Sequence, residues 1–248
     1  MEKITLGEEH FETIGLLFEP NFFQIYCYSD LEGDVFVKTI SCKRNGQYDF
    51  SELKSKNHLF ALSSQPHWTI VPTAVFREED ARGYLELTTG FEGKSLFSHS
   101  TLEGLESVLI YERDTEAEKL LSQIQPALEV KHLAGTLLEH GRRKVSESKG
   151  DLLQIQVLDQ LALVTIFRQG SLLLANCIEI NKSEDLIYYT FYTLKKLDIS
   201  TEIRTEISGS GTIFSSVKKQ AAKFLTNLND SGKDSVSDQL AVIIAQCA

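Results

Sequence analysis

The residues of this sequence whose types and spacing suit chemistry gather at two turns. Gly209-Ser210-Gly211 follows a strand-like stretch and precedes a helical one, so that backbone N–H groups there can approach a ligand without a side chain in the way. A strand-to-helix turn also needs glycine for its geometry alone. Asp159 sits between two apolar stretches, where a carboxylate can organise a metal ion or can accept local backbone hydrogen bonds as turn aspartates do. Asp159, Gly209, Ser210 and Gly211 are therefore the candidate cofactor-contacting residues, and no catalytic residue or metal ligand is assigned.

Other chemistries find less support. The six histidines, at 10, 58, 67, 99, 132 and 140, show no metal-ligand spacing, and a zinc site would need clustered N or S ligands. The chain has neither a Gly-x-Ser-x-Gly elbow nor a Walker-type Gly-Lys-Ser/Thr loop. A metal-dependent nuclease would need more converging acids than Glu19 and Asp159. The basic run His140-Gly-Arg-Arg-Lys144 reads as a solvated helix end, where cations suit the exposed carbonyls. Tyr188, Tyr189, Phe191 and Tyr192 lie on one helical stretch, either covering a sheet or anchoring a partner.

Composition bounds these readings. A net charge of −10 argues against binding a phosphate backbone, which relies on a clustered basic surface, so no nucleic-acid partner is expected. With 42% hydrophobic and 24% charged residues the chain can bury a core without staples. Cys27, Cys42, Cys177 and Cys247 form no Cys-x-x-Cys pair, and Cys27 and Cys177 fall in predicted strands as small apolar residues. The start of the chain lacks the pattern of a signal peptide, and no apolar run reaches the length of a membrane span. A cytoplasmic protein without membrane insertion is expected.

The elements that must position the two turns can be read from periodicity and turn residues. In the second half, Leu152–Leu158, Leu161–Phe167 and Ser171–Glu179 form an antiparallel meander; a helix over Glu184–Leu197 and a strand over Glu202–Ile207 follow. A later helix spans Ile213–Leu228 and a last strand Leu240–Ile244. The first half offers strands over Phe11–Phe18, Phe22–Tyr28 and Val35–Ser41, a helix to about Asn57, and a strand over His67–Phe76. A helix over Arg77–Leu87, a loop or irregular strand over Thr88–Thr101, a strand over Ser107–Tyr111 and a helix over Thr115–Gln125 complete it. Leu128–His132 and Leu133–Arg143 connect the halves as strand and helix. The expected division is 1–126, a connection over 127–150, and 151–248, with the topology duplicated between the ends.

Two copies of βββαβαβ with ribonuclease-H-like halves resemble the actin-like ATPase fold, an α/β architecture. The hairpin Thr165-Ile-Phe-Arg-Gln-Gly-Ser-Leu-Leu-Leu-Ala-Asn176 looks like that of the pilus-assembly adaptors, and Ala127-Leu-Glu-Val-Lys-His-Leu-Ala134 is similar to their connection between halves. Thr69-Ile-Val-Pro-Thr-Ala-Val-Phe76 with Leu173-Leu-Ala-Asn176 and the chain length resembles an uncharacterised bacterial family, a domain of unknown function with this fold. The resemblance implies a nucleotide between the halves, its phosphates held by two hairpin turns rich in Asp and Gly, and adenosine near Gly209-Ser210-Gly211. The first turn here is Phe18-Glu19-Pro20-Asn21-Phe22, without glycine and with a proline that lacks an N–H. The second keeps Asp159 but continues Gln160-Leu161-Ala162. These departures favour a non-catalytic scaffold for a protein or peptide partner, with no cofactor; the alternative is a divergent ATPase or small-molecule kinase using ATP with Mg²⁺.

Overall fold

The computed structural model describes residues 2–6, 11, 13–31, 34–54, 58–91, 94–148, 150–158, 160–209 and 212–228. Asp159, Ser210, Gly211 and the expected strand Leu240–Ile244 lie outside the described residues. Packing divides the chain between Leu137 and Leu138 into two compact units.

The first unit opens with β1 (Glu2–Lys3), β2 (Thr13–Phe18), β3 (Phe22–Leu31), β4 (Asp34–Lys43), β5 (Tyr48–Asp49) and the short helix α1 (Ser51–Lys54). It continues with β6 (Leu59–Ser63), β7 (Trp68–Pro72), α2 (Ala81–Thr89), β8 (Phe97–Leu102), β9 (Ser107–Glu112), α3 (Thr115–Ser122) and β10 (Val130–His132). Helix α4 (Leu133–Ser148) begins in this unit and ends in the next. One five-stranded sheet has the order β10-β6-β2-β3-β4: the β2–β3–β4 meander is antiparallel, and β6 and β10 add in parallel. The core on one side of it joins Ile14, Leu16, Phe18, Phe23 and Ile25 to Phe50 and Leu53 and to Ala117, Leu121 and Ile124 of the α3 region. Ala117, Leu121 and Ile124 thus form an apolar stripe that faces the sheet.

Two strand assignments made from the sequence change. The fourth strand of this sheet is Leu59–Ser63, which the periodicity reading passed over, and Trp68–Pro72 instead joins Phe97–Leu102 and Ser107–Glu112 in a separate sheet of order β7-β9-β8. The reason is physical. Leu59, Ala61, Leu62 and Ser63 are all buried, so β6 is covered on both faces and shows no alternation of apolar and polar residues. The Pro72 end of β7 suits its position, because β7 pairs with β9 alone and needs no second ladder.

The second unit contains β11 (Leu152–Leu158), β12 (Leu161–Arg168), β13 (Ser171–Glu179), α5 (Ser183–Lys196), β14 (Arg204–Gly209) and α6 (Thr212–Ala221). Its sheet runs β13-β12-β11-β14, with β14 parallel to β11. This is the order β4-β3-β2-β6 of the first sheet, so the duplicated topology is present. Leu153, Ile155 and Val157 alternate along β11 toward a core completed by Leu186, Ile187 and Leu194 of α5 and Phe214 and Val217 of α6.

Candidate functional site

The first hairpin turn links β2 to β3, and its groups are already engaged. The Glu19 N–H donates to the Phe22 carbonyl at 2.9 Å, Pro20 has no N–H, and the buried Glu19 carboxylate accepts from Gln24 Nε2 at 2.8 Å. Tyr26 donates its hydroxyl to Gln24 Oε1. Burial, then the negative charge of Glu19, pushes the Tyr26 phenol well above its ordinary range. At this turn Pro20 offers no N–H and the Glu19 N–H is already bonded to Phe22, so neither of these two backbone positions has an amide left for a phosphate.

A cation beside the turn, Arg44, is engaged too. The Arg44 N–H donates to the Asn21 carbonyl at 3.2 Å, and its guanidinium lies 5.7 Å from the centre of the Phe18 ring. Arg44 Nη1 donates to Asp114 Oδ1 at 2.9 Å, and Nη2 to Oδ2, closing a two-pronged pair. Asp114 also caps α3 by accepting from the Ala117 N–H at 3.0 Å. Burial alone would raise the Asp114 carboxyl; hydrogen bonds from Arg44 and Ala117 outweigh it and hold the group below the usual carboxylate range. Neither Arg44 nor Asp114 stood out in the sequence, where the only signal was an arginine beside the Asn45-Gly46 turn.

In the second unit, Gly209 ends β14 beside Val157 of β11. A Cβ at Gly209 would run into the Val157 carbonyl oxygen and come within 2.7 Å of Val157 Cβ and 2.9 Å of Phe214 Cδ2. Strand-to-strand and strand-to-helix closeness therefore accounts for this glycine without a ligand. Gly209→Ala is expected to lower stability by about 2 kcal/mol through overpacking, read as a lower denaturant midpoint at unchanged slope.

The opposite face of this sheet carries polar groups that the sequence reading missed. Gln154 accepts from Thr165 Oγ1 at 3.1 Å, Gln156 accepts from Ser208 Oγ, and Lys144 Nζ reaches both Glu206 oxygens at 2.8 Å. Their signal was the pair of glutamines two residues apart inside an otherwise apolar strand. The basic run behaves differently from a solvated helix end: α4 continues to Ser148, His140 and Gly141 are buried, and Lys144 is paired. Burial first, then the charge of Lys144, lowers His140 to about 4. Among the described residues no group of His, Cys, Asp and Glu could hold a metal ion, and no helix is long and apolar enough to cross a membrane.

The duplicated sheets agree with solved structures. A protein of Bacteroides thetaiotaomicron described as having an actin-like ATPase fold and unknown function aligns over 94% of this chain and 95% of its own, at 18% identity and a TM-score of 0.71. The PilM-PilN type IV pilus biogenesis complex aligns over 95% of this chain and 97% of the matched chain, at 13% identity and a TM-score of 0.59. These likenesses establish the fold: the chain has the actin-like ATPase architecture, with distant similarity to PilM. No curated protein matches the sequence. Residues 58–228 match the family model described as "Protein of unknown function (DUF3822)", and the chain belongs to that family.

Proposed function

We propose that this protein is a non-catalytic, cytoplasmic scaffold of the actin-like fold that docks a protein or peptide and works without a nucleotide cofactor. The observation that carries the reading is the first hairpin turn, where Pro20 supplies no N–H, the Glu19 amide is spent on Phe22, and the Glu19 carboxylate is buried against Gln24. The neighbouring Arg44 is committed to Asp114. The relative named as a PilM-PilN complex supplies a precedent for partnership with another protein on this architecture.

The test is thermal or denaturant unfolding with and without Mg·ATP. A ligand held at a hundred times its dissociation constant stabilises a fold by about 2.7 kcal/mol. The expected result is an unchanged midpoint across adenine and guanine nucleotides. A saturable, Mg²⁺-dependent rise would overturn the scaffold reading in favour of a divergent ATPase or small-molecule kinase using Asp159, Gly209, Ser210 and Gly211.

A further inference from the structure

Helix α5 turns Ser183, Leu186, Ile187, Thr190 and Leu194 inward, which leaves a second, outward face of unusual composition. Tyr188 is 71% exposed and Tyr192 48% exposed, and their rings stack with centres 6.1 Å apart and an interplanar angle of 20°. Lys196 Nζ sits 5.4 Å from the centre of the Tyr192 ring, and Lys195 is exposed beside it. Helix α6 packs alongside: Ser183 Oγ meets Ser216 Oγ at 2.9 Å, and Gln220 Nε2 donates to Ser183 Oγ and Glu184 Oε1. Just past α6, Phe224 is 52% exposed with its ring against Phe191 at 5.3 Å, and Lys219 and Lys223 are exposed.

Stacked aromatic rings left in water form a surface whose burial is favourable and whose side chains have already lost much of their freedom. Charge then selects among occupants. The chain carries −10 overall, yet Lys196 lies over the Tyr192 ring, Lys195 shares its helical turn, Lys219 is in the last turn of α6 and Lys223 precedes Phe224, and none of the four makes an ion pair among the described residues. The acids of α5, Glu184 and Asp185, lie in its first turn, at the opposite end of the helix from Lys195 and Lys196. A second copy of so acidic a chain is disfavoured by its own charge, whereas an acidic segment of another protein gains attraction from these lysines and burial from the rings.

We propose that the outward face of α5 and α6 is a docking surface for an acidic peptide segment of a partner protein, with carboxylates at Lys195, Lys196, Lys219 and Lys223 and an apolar side chain against Tyr188, Tyr192 and Phe224. This rests on the scaffold reading above and names the surface it uses.

The test uses the full chain and two pools of short fluorescein-labelled peptides, alike in their aliphatic and aromatic positions but filled elsewhere with Asp/Glu or with Lys/Arg, read by anisotropy. The acidic pool is expected to bind at least tenfold more tightly than the basic pool, and to weaken as salt rises. Lys195→Glu with Lys196→Glu, and separately Tyr188→Ala with Tyr192→Ala, are each expected to weaken it about tenfold, at an unchanged melting temperature because these side chains are exposed. Lys195→Gln with Lys196→Gln gives the charge effect without reversal. Equal binding of the two pools, or binding untouched by both sets of substitutions, would overturn the proposal. So would capture by phosphatidylserine vesicles that the glutamate variants abolish while the acidic pool stays unbound, or a concentration-dependent dimer lost in the tyrosine variant. A failure here with Mg·ATP silent removes only this surface, whereas a Mg·ATP shift removes the scaffold reading itself.

Discussion

Asp114→Ala is expected to destabilise the first unit by about 4 kcal/mol, since removing one partner of a buried ion pair strands the other. Arg44 is nearly covered, and the carboxylate beside it does two jobs, holding the guanidinium and capping α3. Glu116 is the only other acid near Arg44 among the described ion pairs, at 3.9 Å, but it is largely in water and so a weak substitute. Equilibrium denaturation of the single variants and of Arg44→Met with Asp114→Ala forms the cycle that isolates the pair. The double variant should recover more than half of the single Asp114 loss, because no charge is then left buried; the remainder is the lost cap, about 1 kcal/mol. Equal losses in the single and double variants would show that the cap alone matters.

Lowering the pH from 7 to 5 is expected to remove about 4 kcal/mol of stability, split between two buried histidines. His132 accepts the Ala134 N–H at Nδ1 over 3.2 Å and donates from Nε2 to the Gln65 carbonyl at 2.8 Å, while packing on Tyr111 and Trp68. Burial lowers it from 6.5 to about 4, and a proton on Nδ1 would face the Ala134 N–H donor. His140 is lowered to about 4 as well. Each ring binds a proton in the unfolded chain below about pH 6.5 but stays neutral in the fold until about 4, so the unfolded state takes up more protons in that window. Stability therefore falls as pH drops through the window, by about 2 kcal/mol per ring at pH 5. Chemical denaturation across pH 7 to 5 measures it, and His140→Leu should flatten roughly half of the slope. A pH-independent midpoint over that range would contradict the burial of both rings.

Much of this architecture was legible because it is local. The β11–β12–β13 meander appears within a residue of its expected ends, since apolar runs are bounded there by Arg168-Gln169-Gly170, where Gln169 and Gly170 both take positive φ. The order of sheet strands was legible only in part. Whether Leu59–Ser63 or Trp68–Pro72 pairs with β2 is decided by contacts far apart in the chain, and a strand buried on both faces carries no alternation to read. At the candidate turns, Pro20 and the missing glycines could be read directly, because a proline lacks its N–H in any fold. The commitment of Arg44 to Asp114 could not, since the two are seventy positions apart and meet only through the tertiary fold.

Strand β10 has a consequence for how the chain can be cut. It pairs in parallel with β6 through Val130, Lys131 and His132, and passes into α4 at the next residue. A fragment ending before Val130 would leave the ladder of β6 bare along one side, a ready template for self-association. One ending just after His132 would restore that ladder but strip the buried Leu133, Ala134, Leu137 and Leu138 from their places. Protease nicking in this region should therefore release insoluble pieces rather than two tractable ones.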